Sequence, residues 1–311
     1  MKTSKVVPED LSASVVAVPP LARNRDLGLN REQNLKLIRH LEAGGVTTLM
    51  YGGNANFYNV ALSEYAEILA FLAEAAAPES WVIPSVGPDY GKMMDQAAVL
   101  KDMGFPTVMV LPMAFPATPA GIETGIRRFT DRLGKPVVFY IKADGYVTPD
   151  GFGRMVDDGL ISAVKYAVIR EDPGRDDYLG RLLERIDRRH VLSGIGERPA
   201  VAHMRTFDLP GFTSGSVCVA PNLSRRMLEA LRAEDFAGAE AIRERFLPLE
   251  DLRDAIHPVR VLHAAVTLAG IAEMGALLPM LHGLDGADEA RVREAAIRLL
   301  AADRATNAAA A

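Results

Sequence analysis

Cysteine is almost missing from this chain of 311 residues: Cys218 stands alone. A disulfide within one chain and a thiolate metal site are thereby excluded, and a reducing compartment is the simple expectation. A basic excess is also lacking. Lys and Arg number 35 against 40 Asp and Glu, and the net charge of −5 argues against a nucleic-acid-binding face. Long hydrophobic runs are absent. The first apolar stretch, Val15 to Leu21, carries Pro19 and Pro20 and is too short for a signal core or a membrane span. The opening Met1-Lys2-Thr3-Ser4-Lys5 leads to Pro8-Glu9-Asp10 rather than to an apolar segment, so cytoplasmic placement is expected. The 6 histidines are scattered, with no His-x-x-x-His pair suited to a catalytic zinc. Neither a metal nor another cofactor is expected. Gly-x-Ser-x-Gly does not occur, and Ser214-Gly215-Ser216 supplies no nucleophile elbow.

What is present is a hydrophobic fraction of 49% beside 24% charged residues, enough for a large buried core. Short, near-continuously apolar runs alternate with longer helical patterns up to about residue 232. Strands are predicted over Ser14–Val18, Thr47–Tyr51, Trp81–Val86, Thr107–Leu111, Val137–Ile141, Ile161–Lys165, His190–Gly194 and Gly211–Ser216. Between the first two, Asn30-Arg31-Glu32-Gln33 reads as a capping box, Leu35, Ile38 and Leu41 share one helical face, and Gly44-Gly45 stops the helix. Met93–Met103 and Ile122–Leu133 repeat the pattern, ended by Gly104 and by Gly134-Lys135-Pro136. Repeated strand–helix units without a Gly-rich dinucleotide fingerprint predict an α/β chain, a (β/α)8 TIM barrel. From Ala233 the strand signal stops. Helices over Phe236–Leu247, Val259–Leu268 and Glu289–Ala301 form a C-terminal helical appendage, and residues 305–311 should fray. The expected division is 1–232 for the barrel and 233–311 for the helical domain.

In such a barrel, chemistry sits at the C-terminal ends of the strands. Lys165 closes the sixth strand, where alternation puts Ile161, Ala163 and Lys165 on one face and aims the amine into the barrel mouth. Burial of an amine lowers its pKa and yields a nucleophile suited to carbonyl attack, although a lysine snorkelling at a strand end would satisfy the same pattern. Tyr140 ends the fifth strand with matching parity and can shuttle protons beside that amine. Gly52-Gly53-Asn54 follows the second strand. Its two glycines expose backbone N–H groups able to hold a carboxylate, or simply make a tight turn. Lys142 and Asp144 lie past the fifth strand, as substrate contacts or plain surface charges. Ser193-Gly194-Ile195-Gly196-Glu197 is a weak phosphate cradle because its carboxylate would repel the ligand. Cys218 reads as a small buried hydrophobe.

In this order, Leu41-Glu42-Ala43-Gly44-Gly45-Val46, Val82-Ile83-Pro84-Ser85-Val86-Gly87, Val108-Met109-Val110-Leu111-Pro112, Val137-Val138-Phe139-Tyr140, Ala163-Val164-Lys165, Val219-Ala220-Pro221 and Asp235-Phe236-Ala237-Gly238-Ala239 extend over nearly the whole chain. The set resembles the dihydrodipicolinate synthase / N-acetylneuraminate lyase family of class I aldolases. The resemblance implies a Schiff base between Lys165 and pyruvate or a related 2-oxo acid. It also implies Tyr140 as the proton-handling phenol, Gly52, Gly53 and Asn54 as the turn receiving the carboxylate, and Thr213 as a position whose backbone lines the pocket. The partners it implies are a 2-oxo acid with an aldehyde or sugar acid, and further copies of the chain in a dimer or tetramer.

The departures from that family are specific. Gly53 stands where a relay Thr or Ser is usual, Ala114 lies where a relay tyrosine follows Pro112, and Gly145 falls where the synthase arginine holds a dicarboxylate. The reading is therefore a metal-free lyase acting on an altered substrate, making or breaking a C–C bond or eliminating water through a Lys165 imine. Dihydrodipicolinate synthase proper and a non-catalytic 2-oxo-acid-binding barrel are the alternatives.

Overall fold

The structure is a computed structural model and describes residues 1–308. Its strands are β1 (Val16–Ala17), β2 (Thr48–Tyr51), β3 (Trp81–Val86), β4 (Met109–Val110), β5 (Val137–Ile141), β6 (Ile161–Tyr166), β7 (Val191–Ser193) and β8 (Thr213–Ser214). They pair in parallel in the order β7-β6-β5-β4-β3-β2-β1-β8, and a bridge between Ser193 and Phe212 closes the ring. One helix follows each strand: α2 (Arg31–Ala43), α3 (Leu62–Ala75), α4 (Tyr90–Lys101), α5 (Pro119–Leu133), α6 (Pro149–Asp157), α7 (Asp177–Leu183), α8 (Ala200–Phe207) and α9 (Pro221–Arg232). The predicted (β/α)8 barrel is the fold. β1, β4 and β8 are shorter than expected, yet ladder bonds continue past them, as from Val18 N to the Ser214 carbonyl at 2.8 Å.

Local chemistry explains α2 and two departures within it. Asn30 caps α2, its side chain accepting from Gln33 N at 3.1 Å, but the Gln33 side chain does not close the box. It accepts instead from Glu273 N at 2.8 Å, tying α2 to the C-terminal segment. The buried stripe of α2 is Asn34, Leu37, Ile38 and Leu41, whereas Leu35 is 38% exposed. Asn34 belongs inside because its amide bonds both the N–H and the carbonyl of Ala22, at 2.8 and 2.9 Å. A polar residue on the inner face had shifted the apparent apolar stripe by one position.

A short helix not foreseen in the sequence, α1 (Pro8–Ala13), precedes the barrel. Pro8 starts it and Asp10 accepts from Val7 N at 3.0 Å, while the Trp81 indole donates to Asp10 at the N-terminal end of β3. It therefore covers the end of the barrel opposite the strand tips.

The C-terminal helices are α10 (Phe236–Ala255), α11 (Pro258–Leu268) and α12 (Gly286–Ala308). They bury Phe246, Leu249, Val261, Ala265, Val292, Ala296 and Leu299 against one another and against Val219, Ala220 and Leu223. α10 runs through Pro248 instead of stopping at Leu247. Proline costs the helix one hydrogen bond, but Leu249 and Leu252 beyond it are buried and hold the following turns in place. α12 likewise continues through Ala308 where fraying was expected from Ala305; positions 309–311 lie outside the described residues. No helix among the described residues is long and apolar enough to cross a membrane.

Candidate active site

The tips of β5 and β6 bring the lysine and the tyrosine together. Tyr140 and Lys165 are register partners, and Nζ lies 4.6 Å above the centre of the phenol ring. A bulge at the start of the pair matches Val137 with Ile161 but Val138 with Ala163, leaving Ser162 as the extra residue. Strict alternation from Ile161 to Lys165 therefore fails. Ala163 and Lys165 keep the common face with Val138 and Tyr140, and Ser162 bonds its hydroxyl to Thr107 at 2.9 Å. β6 also extends one residue beyond Lys165, to Tyr166. That phenol donates to Asp176 at 2.7 Å.

Lys165 is 5% exposed, and its pKa falls from 10.5 to about 7. Desolvation is the main cause, followed by the charges of Lys142 and Arg253. The aromatic face opposes this by favouring the ammonium, but a cation–π contact offsets only part of so deep a burial. A sizeable neutral fraction at neutral pH follows. Tyr140 moves the other way. Burial first, and the Tyr58 phenol second, push it above the usual tyrosine range, with Arg253 pulling weakly back. It stays protonated and is a proton donor at rest.

The turn after β2 is tightly packed at one glycine and open at the other. A side chain at Gly52 would meet Ser85 Oγ at 2.9 Å, whereas one at Gly53 would meet only the Tyr58 ring, at 3.7 Å. The carbonyls of Gly52 and Gly53 accept from Phe57 and Asn56. The N–H groups of Gly53, Asn54 and Ala55 donate to no protein acceptor among the described residues. The Asn54 amide, by contrast, is engaged with the Val18 carbonyl at 2.8 Å and clamps β2 to β1. Thr213 is buried on β8, and its carbonyl accepts from Gly196 N at 3.0 Å. Lys142 is exposed, close enough to act on Lys165. Asp144 is exposed and ion-paired with Arg170, which also binds Asp176 at 2.9 Å. Cys218 is fully buried, and burial raises its thiol pKa, as suits a small core residue.

Several residues near the mouth were not singled out from the sequence. Arg253, on the stretch of α10 beyond Pro248, influences both Lys165 and Tyr140. Tyr58 stands beside Gly53, and Tyr146 accepts from Met113 N at 3.2 Å just past β4. Ala114 is the next residue. Two phenols thus lie next to Gly53 and Ala114. Glu197, in the loop after β7, is fully buried and accepts from Ser214 at 2.8 Å and Ser224 at 2.7 Å. This loop is filled by its own carboxylate, so a phosphate has no place there. Among the described residues no three His, Cys, Asp or Glu side chains gather as a metal site.

A closed parallel barrel with a desolvated amine over a phenol at its strand tips is the class that fold and site define. The particular family follows from comparison with known proteins. Residues 12–295 match the dihydrodipicolinate synthetase family, and the chain belongs to it. A probable 5-dehydro-4-deoxyglucarate dehydratase 2 of Streptomyces coelicolor is 22% identical over 276 residues, covering 84% of this chain and 82% of the relative. A probable 5-dehydro-4-deoxyglucarate dehydratase of Pseudomonas fluorescens is 24% identical over 275 residues, covering 84% and 87%. The crystal structure of dihydrodipicolinate synthase from Bacillus clausii superimposes with a TM-score of 0.82 at 22% identity, covering 93% of this chain and 97% of that one.

Proposed function

We propose that this chain is a lysine-imine lyase that removes water from a sugar acid bearing a 2-oxo group. The observation that carries the reading is the Lys165 amine, 5% exposed, with a pKa near 7 and 4.6 Å above the Tyr140 ring. Membership of the family supports the class of chemistry, and the two dehydratase relatives favour elimination over aldol cleavage.

The neutral amine attacks the 2-oxo carbon while Tyr140 gives its proton to the oxygen that leaves as water, producing an iminium at Lys165. The N–H groups of Gly53, Asn54 and Ala55 hold the neighbouring carboxylate. The iminium draws electrons from the adjacent C3–H bond. Loss of that proton to the Tyr140 oxygen gives an enamine, which expels the C4 hydroxyl as water when the proton is returned to it. Water then adds to the remaining iminium and frees both product and amine. The net change is loss of one water, with no oxidant or reductant. Tyr58, beside Gly53, is positioned to stand in for the absent relay hydroxyl.

Borohydride reduction with a panel of 2-oxo acids, followed by intact-mass and peptide analysis, tests this reading. An adduct on Lys165 is expected, and its rate of formation should fall about tenfold for each pH unit below about 7 as the amine protonates. A chain left unmodified by every acid, while binding one of them reversibly and tightly, would overturn the reading in favour of a binding barrel.

A further inference from the structure

The loops that leave β5 and β6 separate just above Tyr140 and Lys165. Their last shared backbone bond runs from Ala167 N to the Ile141 carbonyl at 2.8 Å, and beyond it none joins residues 142–146 to residues 168–175. The turn 142–145 is exposed along its whole length and carries Lys142. Gly145 takes the left-handed conformation there, at φ 66°, with no side chain to brace the turn. Asp144 is its tether.

Asp144 meets Arg170, in the loop after β6, through both carboxylate oxygens. The other edge of the same guanidinium is fixed to Asp176, with Nε 2.9 Å from Oδ2 and Nη2 3.0 Å from Oδ1. Asp176 in turn accepts from the Tyr166 hydroxyl at 2.7 Å and caps α7 by accepting from Leu179 N at 3.0 Å. Tyr166 directly follows Lys165. A continuous set of bonds therefore runs from the neighbour of Lys165 to the residue two positions past Lys142. A planar guanidinium can serve two carboxylates at once in this way, which an ammonium cannot.

The two arms of this clamp contribute differently. The Asp176 side chain is fully buried and holds Arg170 still. Asp144 is 57% exposed, and an ion pair so open to water adds little to the stability of a fold. What it sets is the place of the turn. The charged and titratable groups facing Lys165 are Tyr140 on β5, Lys142 beyond it and Arg253 on α10. Those around the clamp are Asp176, Tyr166 and Arg181, and Lys142 also reaches His257 at the start of α11. Of the two cations acting on Lys165, Arg253 is fixed by Glu250, whereas Lys142 rides on the turn.

We infer that Asp144 and Arg170 are positioning residues, whose ion pair holds the turn after β5 so that the Lys142 ammonium stands at the mouth beside Lys165. The inference rests on the imine reading of Lys165 and adds to it a device, split between two loops, that keeps part of that amine neutral.

Trapping with saturating pyruvate and cyanoborohydride, which survives at pH 6, reads the rate of adduct formation on Lys165. A positive neighbour favours the neutral amine. Removing or releasing it lowers the neutral fraction at pH 6 and leaves it unchanged at pH 9, where the amine is deprotonated in any case. Lys142→Met and Asp144→Ala are each expected to slow trapping about threefold at pH 6 and less than about 1.5-fold at pH 9. Loss of the Asp144 carboxylate would by its charge alone speed trapping at pH 6, so slowing reports the turn. Because the ion pair acts through the lysine, the double variant Lys142→Met/Asp144→Ala should be no slower than Lys142→Met. Asp144→Glu, which keeps the carboxylate, should recover most of the rate. Arg170 stays in place throughout, so buried Asp176 keeps its cation. An Asp144→Ala chain that traps at pH 6 as fast as the unaltered one, or faster, would overturn the placement. So would single effects that multiply in the double variant, or an equal loss at both pH values. No adduct from the unaltered chain at either pH would instead defeat the imine reading itself.

Discussion

Lys165 and Glu197 lie at the C-terminal ends of adjacent strands, both almost wholly removed from water, and the structure treats them differently. Both carboxylate oxygens of Glu197 are filled, one by Ser214 and the other by Ser224. Lys165 donates to no protein acceptor among the described residues and meets only an aromatic face. A buried group whose bonding capacity is already satisfied is held in place and has little left to offer a ligand. One buried without such partners is costly to maintain and chemically available. Burial alone does not separate architecture from chemistry at this end of the barrel; the free valence does.

The two groups also leave opposite marks on stability. For Lys165 the folded pKa lies below the unfolded one, so the unfolded chain binds more protons and stability rises with pH from about 7 toward 10.5. The penalty is present in full below about 7. Lys165→Met is the largest expected effect: no borohydride adduct, together with a gain in stability at pH 6 on the order of several kcal/mol that fades toward pH 10. Urea unfolding at the two pH values measures it. A change in stability independent of pH would show that the amine is solvated, and the contrast with Glu197 would collapse.

Glu197 predicts the reverse slope. Burial first, and the nearby Glu250 second, raise its pKa above 4.5, so the cost of ionising it appears as pH rises past the ordinary carboxylate range. Glu197→Gln should be neutral near pH 4 and stabilising by about 1–2 kcal/mol at pH 8, because the amide has no charge to desolvate. Imine trapping with a monocarboxylate should change less than about twofold. A large loss of trapping would make the β7 loop part of the chemistry and remove the distinction just drawn.

The sequence made the first of these regions readable and the second only faintly so, for physical reasons. Buried parallel strands must be apolar on both faces, so the eight runs stood out, and a lysine or tyrosine at the end of such a run is an exception with few explanations. Lys165 and Tyr140 were visible for that reason. The bulge at Ser162 was not, since one extra residue leaves no compositional trace. Arg253 was hidden by Pro248. Proline is ordinarily a reason to end a helix, and here the burial of Leu249 and Leu252 outweighs the lost bond, carrying the guanidinium back over the barrel. Tyr58 and Tyr146 are ordinary half-buried tyrosines in sequence terms. Only the folded loops put them beside Gly53 and Met113.

Gly215 joins the two regions and supplies the smallest expected effect. Its φ of −87° suits any residue, so alanine there meets no backbone strain. The added methyl would instead come within 2.9 Å of Arg253 Nη2, 2.8 Å of the Asn54 amide and 3.0 Å of the buried Leu262 Cδ2; the guanidinium end can give way, whereas Asn54 is held by the Val18 carbonyl. Gly215→Ala should therefore cost the fold about 1 kcal/mol, the lower end of the overpacking range. Moving the guanidinium by a few tenths of an ångström leaves the charge that reaches Lys165 and Tyr140 nearly unchanged. The half-saturating pyruvate concentration in borohydride trapping should therefore stay within about twofold of its value in the unaltered chain. A larger shift would make the gap at Gly215 part of the site and not of packing alone.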